Sequence, residues 1–236
     1  MDLKALVFSF FNLEIAWEYL PDILKGMLVT VELGLVVAVT GLFVGMGLAV
    51  LRALQFKPLN FLIICFADIM RALPPLVVIM MLFFAFPYIQ ISMSAFTATW
   101  IALSLVLAAF VEEICWAGIV SVPKGQSEAA RSTGLNWLQS MLYVVLPQAV
   151  RLTVAPLTNR VIAITKSTAL GSVVGLSEVL SNSQSAMSNS GNATPLMMGA
   201  IGCLIIFMEL GAIIIDHSHL LPCHKVAHSQ NQIDLH

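Results

Sequence analysis

Few side chains in this sequence could do chemistry, and those that could sit inside or beside apolar runs. Of 236 residues, 59% are hydrophobic and 10% are charged, against about 25% charged in an ordinary soluble domain. Arg71, Glu113 and Lys166, with the hydroxyls of Ser167 and Thr168, fall in stretches otherwise suited to a bilayer interior. An ionisable group there is costly, so these five are candidates for the path of a polar solute. Glu112 adjoins Glu113, and two carboxylates can serve as acid and base. Neighbours on a helix point about 100° apart, however, so this pair does not converge on one substrate and no catalytic residue is assigned. No G-x-x-x-x-G-K-[ST] segment occurs, so the chain does not bind ATP through a phosphate loop. Cys65, Cys115, Cys203 and Cys223 are widely spaced without a C-x-x-C pair and read as small hydrophobes, with no metal site. A formal net charge of -2 and the lack of a basic run argue against nucleic acid as a partner.

A second kind of chemistry, recognition by another protein, is suggested by the stretch from Lys124 to Arg151, KGQSEAARSTGLNWLQSMLYVVLPQAVR, which is punctuated by polar residues between two apolar runs. Ser127 reads as an N-cap, Glu128, Ala129 and Ala130 as a first helical turn, and Gly134 as its stop. Asn136 caps a second helix, with Gln139 in capping-box position. The first helix, about six residues, is shorter than the roughly 12 to 15 needed for marginal stability alone, so packing must hold it. Its small alanine face suits close approach to another surface.

The elements that position these groups are apolar helices. Residues 1–25 mix aromatic and acidic side chains and read as an extracytoplasmic, interfacial segment. The run from Gly26 to Leu51 exceeds the ~20 residues that cross a bilayer core, and its Gly41 and Gly45 allow a neighbouring backbone to come close. Arg52 and Lys57 place the following loop in the cytoplasm by the positive-inside rule. Leu59 to Tyr88 is a second span broken at Pro74-Pro75, and a break in a bilayer requires protein or a wet cavity around it. Trp100 to Val120 is the third span. Pro147 opens the fourth, which carries Arg151, Arg160 and Lys166 and is followed by a Gly171/Gly175 packing pair. Ser177 to Pro195 forms an outer segment, and Leu196 to Ile215 a fifth span. The fold class is thus an all-α membrane protein of five transmembrane helices, with the N-terminus outside and the C-terminus cytoplasmic. Residues 26–215 form the membrane domain, with a cytoplasmic loop at 122–147. The tail at 216–236 holds His217, His219, Cys223, His224, His228 and His236 and reads as divergent rather than metal-binding.

Glu128-Ala129-Ala130, then three residues, Gly134, nine residues, and Val144-Val145-Leu146-Pro147 resemble the EAA loop of the membrane (permease) subunits of bacterial ABC importers. The flanking Gly125-Gln126 and Gln148-Ala149 narrow the resemblance to the polar amino-acid branch. Arg71-Ala72-Leu73-Pro74 is similar to that family's Arg-Gly-x-Pro. The segment from Val111 to Ile119 resembles its Ala-Glu-Ile-x-Arg-Gly-Gly-Ile, Glu113 matching the glutamate and Trp116-Ala117 replacing Arg-Gly. Lys166-Ser167-Thr168-Ala169-Leu170 is similar to Lys-Asp-Thr-Ser-Leu without the aspartate. The resemblance implies a permease fold whose Gln126, Glu128, Ala129, Ala130, Gly134, Leu146 and Pro147 form the ATPase-docking element. It also implies an ABC ATPase dimer that binds the ATP, so this subunit needs no cofactor. A second permease subunit, identical or paralogous, and a periplasmic or lipid-anchored amino-acid-binding protein complete the expected assembly in a bacterial inner membrane. The substrate would be an amino acid, whose two charges suit a path holding both Arg71 and Glu113. The missing aspartate leaves the path less acidic and weighs against a basic amino acid. An ion-coupled carrier fits less well, because internal repeats with paired broken helices are not evident and the span number is odd.

Overall fold

The computed structural model describes residues 8–220, with side chains described as far as Met208. All its described elements are helical. Helix α1 (Leu13–Ala53) starts where Asn12 Oδ1 accepts from the backbone amides of Glu14 at 3.0 Å and Ile15 at 3.4 Å. It runs for 41 residues through Pro21, about 60 Å at 1.5 Å per residue, twice a typical bilayer core. The apolar run that begins at Gly26 is therefore the continuation of a helix begun thirteen residues earlier, with no break between them.

The bundle is built around α4 (Ala95–Ser121), which packs against α1. A Cβ on Gly41 would lie 2.7 Å from Leu107 Cδ2, and one on Gly45 only 2.5 Å from Val111 Cβ and 2.6 Å from the Ala108 carbonyl oxygen. The absence of a side chain at these two positions lets the helices meet backbone to side chain. Leu33 and Val37 of α1 join Leu103, Leu107 and Val111 of α4 in one buried cluster. Polar groups on this seam satisfy one another: Trp100 Nε1 donates to Thr40 Oγ1 at 3.1 Å, and Thr40 and Ser104 hydroxyls lie 2.7 Å apart. The second glycine pair does not behave as a pair. A Cβ on Gly171 would meet Leu176 Cδ2 at 2.7 Å, whereas Gly175 faces open space at φ +81°, where it ends a 3-10 segment (Ser167–Val174).

Between them lies the broken span. Helix α2 (Lys57–Ala72) and α3 (Pro75–Met80), the latter continued by a π turn and a 3-10 turn to Ile89, meet at 103°. Leu73 and Pro74 are extended, at ψ 132° and 135°, because a residue that precedes proline is driven out of the helical region. After the loop helices described below come α7 (Leu146–Lys166), α8 (Val179–Ser190) and α9 (Thr194–Leu220). Among the described residues three helical stretches, Phe8–Ala53, Ala95–Ser121 and Trp137–Val174, are long and apolar enough to cross a membrane, and the bent pair makes a fourth. The protein is accordingly an all-α, multi-pass membrane protein. The residues of the divergent tail lie outside those with described side chains.

Candidate functional site

The polar stretch folds as two short helices, with one change of register. Helix α5 spans Lys124–Ser132, so Ser127 lies within it rather than capping it. Val122 and Pro123 are extended, at ψ 125° and 132°, and Pro123 stands at the N-cap, four residues before Ser127, without a side-chain cap. Gly134 does stop the helix, at φ +95°, a left-handed conformation that a Cβ disfavours. Asn136 caps α6 (Trp137–Ser140) in a complete capping box: Gln139 N donates to Asn136 Oδ1 at 2.8 Å and Asn136 N to Gln139 Oε1 at 3.0 Å.

Pro147 does not open a separate helix. The path runs from α6 through a π turn (Met141–Val145) directly into α7, and Pro147 sits in the first turn of α7. The Leu146 amide donates five residues back, to the Met141 carbonyl, and Gln148 Nε2 takes the Val144 carbonyl at 2.9 Å. A widened turn of this kind accommodates the missing proline N–H and its ring. Val122, Val145 and Ala149 form a small buried cluster that fixes the loop to the ends of α4 and α7.

The loop side chains divide by exposure. Gln126, Glu128, Ala129, Gly134 and Pro147 are exposed, Leu146 is half-buried, and Ala130 is buried against its own chain. The alanine pair thus has two jobs, Ala130 seating the helix and Ala129 presenting a small outward surface. Glu128, Arg131, Gly134, Leu135, Asn136 and Trp137 border an open groove on that side.

The five path candidates fall into two groups. Arg71 Nη1 lies 3.5 Å from Glu113 Oε2, and Arg71 also pairs with Asp68. Lys166 is exposed at the end of α7, Ser167 Oγ donates to the Ala163 carbonyl at 3.3 Å, and the buried Thr168 Oγ1 donates to Thr165 O at 2.8 Å. Gly171, one 3-10 turn after Thr168, packs on Thr99, fourteen residues before Glu113 on α4 (99 to 113). At 1.5 Å per residue the groups are about 20 Å apart along the helix.

Two further charges join them. Arg52 Nη1 donates to the fully buried Glu112 at 2.8 Å, lies 3.7 Å from Glu113, and its guanidinium sits 4.6 Å from the Trp116 ring. In the sequence alone, Arg52 marks only the cytoplasmic side. The signal for Glu112 is its register: it follows the buried Ala108 and Ala109 at helical spacing. Arg160 of α7 lies over Phe110 of α4, 3.1 Å from the ring centroid, and its buried Nε has no acceptor.

The comparisons agree with this arrangement. A family model described as "Binding-protein-dependent transport system inner membrane component" matches residues 20–219. The chain is 35% identical over 174 residues, 74% of this chain and 77% of the other, to the "Probable amino-acid ABC transporter permease protein YckA" of Bacillus subtilis (strain 168). It is also 35% identical over 167 residues, 71% of this chain and 77% of the other, to the "Probable glutamine ABC transporter permease protein GlnP" of the same organism. Among solved structures, the "Crystal structure of an amino acid ABC transporter with histidines" superposes with a TM-score of 0.80 at 25% identity, covering 94% of this chain and 99% of that one. An inward-facing MetNI methionine ABC transporter shares the fold, with a TM-score of 0.63 at 20% identity over 84% of this chain and 94% of that one. The family model spans most of the sequence and these relatives exceed 30% identity, so this chain belongs to the family of binding-protein-dependent transport system inner membrane components.

Proposed function

We propose that the chain is the membrane-spanning permease subunit of a bacterial ABC transporter that imports a polar amino acid. Energy comes from ATP hydrolysed on a separate ATPase dimer. In this reading five helices cross the cytoplasmic membrane, α9 being the fifth, with the N-terminus outside and the C-terminus inside. Two permease subunits enclose the path, and an external binding protein delivers the substrate. The relatives described as amino-acid and glutamine permeases support the substrate class.

The observation that carries the reading is the unbroken course from the loop into the bundle. Helix α5 presents Glu128 and Ala129 outward, Gly134 and the Asn136 capping box fix its angle to α6, and α6 continues into α7. A push delivered at α5 therefore acts on α7, which carries Arg160 and Lys166 along the path, as packed helices move as units rather than deform. Arg71 and Glu113 form a polar station beside the break at Pro74, and Lys166, Ser167 and Thr168 a second one farther out. Gln126, Glu128, Ala129 and Gly134 meet the ATPase, while Ala130, Leu146 and Pro147 hold the loop in place. Co-purification tests this reading. The wild-type chain should retain its ATPase through affinity purification, and Ala129→Asp should insert and fold yet lose it. Undiminished retention by Ala129→Asp overturns the docking assignment.

A further inference from the structure

The stretch Trp137–Val174 contains three cations, Arg151, Arg160 and Lys166, and no acidic residue. None of the three forms an ion pair among the described residues. Between Ala155 and Lys166 the exposed positions of α7 are Ala155, Pro156, Asn159, Ala163 and Lys166, small or polar throughout. The exposed face of α1, with Leu28, Leu35, Val39 and Phe43, is what a surface against lipid tails requires. An asparagine and a lysine in that solvent would be costly, so the α7 face borders water. Arg160 stands at the edge of this face. Its guanidinium is stacked on Phe110 with Nε buried and without an acceptor, a cation desolvated on one side and unanswered on the other. Glu113, one turn beyond Phe110 on α4, does not answer it, being engaged by Arg71 and Arg52.

We propose that this path selects an amino acid of net negative charge, with Arg160 taking a carboxylate of the passing substrate. The proposal rests on the importer reading above and narrows its substrate. A planar guanidinium seated over an aromatic ring offers its remaining N–H groups as a fork, which matches a carboxylate with charge-assisted hydrogen bonds. A wall carrying Arg160 and Lys166 and no free anion attracts an acidic amino acid, is indifferent to a neutral one and repels a basic one. The serine at position 167, which leaves the wall without a carboxylate near Lys166, acts in the same direction.

The test is uptake by the complete transporter in proteoliposomes with ATP inside, using labelled L-glutamate, L-aspartate, L-glutamine and L-arginine. One of the two acidic amino acids should accumulate fastest. Arg160→Gln should raise the KM for that substrate about ten-fold or more, the effect of losing one charge-assisted hydrogen bond, with a smaller change in kcat. Arg160→Lys should recover much of the loss. The binding protein is the same in each case, so the change belongs to the path. ATP-driven uptake that favours glutamine or arginine overturns the proposal while leaving the importer reading intact. So does a loss in Arg160→Gln that is equal for every substrate transported, the signature of a purely structural contact with Phe110. ATP-independent uptake, or none with any amino acid, contradicts the importer reading itself.

Discussion

Arg52 at the end of α1 donates to Glu112 on α4 across 2.8 Å, with the glutamate fully buried and the arginine side chain 13% exposed. One cation thus holds the first helix to α4, close to the loop that follows α4. The second carboxylate oxygen of Glu112 has no partner, so the arginine alone compensates the buried charge. Removing it should cost about 3 to 5 kcal/mol, the usual penalty for stranding one member of a buried pair. Arg52→Gln should melt well below wild type in detergent, and the double variant with Glu112→Gln should regain much of the difference. Equal melting temperatures for wild type and Arg52→Gln would mean that the pair is not formed.

The α1–α4 seam makes a sharper steric prediction. Gly45→Val places carbon where Val111 and the Ala108 carbonyl already stand, and should destabilise by about 1 to 3 kcal/mol through overpacking. Gly47, two residues on, meets nothing within 4 Å, and Gly47→Ala should leave thermal stability unchanged or raise it. Similar behaviour of the two variants would contradict the contact.

Within the loop, Asn136→Ala removes a side-chain acceptor from the Gln139 amide and the reciprocal bond, and should weaken the start of α6 by about 1 kcal/mol. Gly134→Val forces a branched side chain into a left-handed backbone, costing about 1 to 2 kcal/mol. Both variants should insert normally but exchange the amide hydrogens of residues 124–140 faster than wild type.

Glu178 caps α8 by accepting from the amides of Leu180 and Ser181, each at 2.8 Å. It lies in the connector before α8, outside the spans. Burial pushes its carboxyl up, and the two amide bonds pull it down by less. A carboxyl raised in the fold contributes most when protonated in both states, and the contribution is lost as pH rises from the ordinary 4.5 through the folded value. Thermal stability should therefore fall as pH rises above the ordinary carboxyl value of 4.5, and Glu178→Gln should flatten that slope. An unchanged slope in the variant would assign the pH dependence to other groups.

Much of the site was legible because local chemistry wrote it. Gly134, the Asn136–Gln139 box and the Pro74-Pro75 break are each set by one or two residues whose backbone or hydrogen-bonding needs allow little choice. The start of α5 was misplaced because Ser127 looks like a cap, whereas Pro123 acts earlier in the chain. Ala129 and Ala130 are indistinguishable as types, and only the packing of α5 against its own chain separates them. Arg52–Glu112 and Arg160–Phe110 join residues 60 and 50 positions apart (112 − 52 and 160 − 110), and no local pattern announces such contacts. The sequence also offered no warning that α1 would begin before its apolar run, because the mixed aromatic and acidic residues after Asn12 suit a helix as well as an interface.

The most direct test is uptake of labelled amino acids into proteoliposomes that carry this chain with and without its ATPase and its binding protein, with ATP inside. Uptake only when all components and ATP are present is the predicted result. Uptake by this chain alone, driven by an ion gradient, would contradict the assignment as a permease subunit.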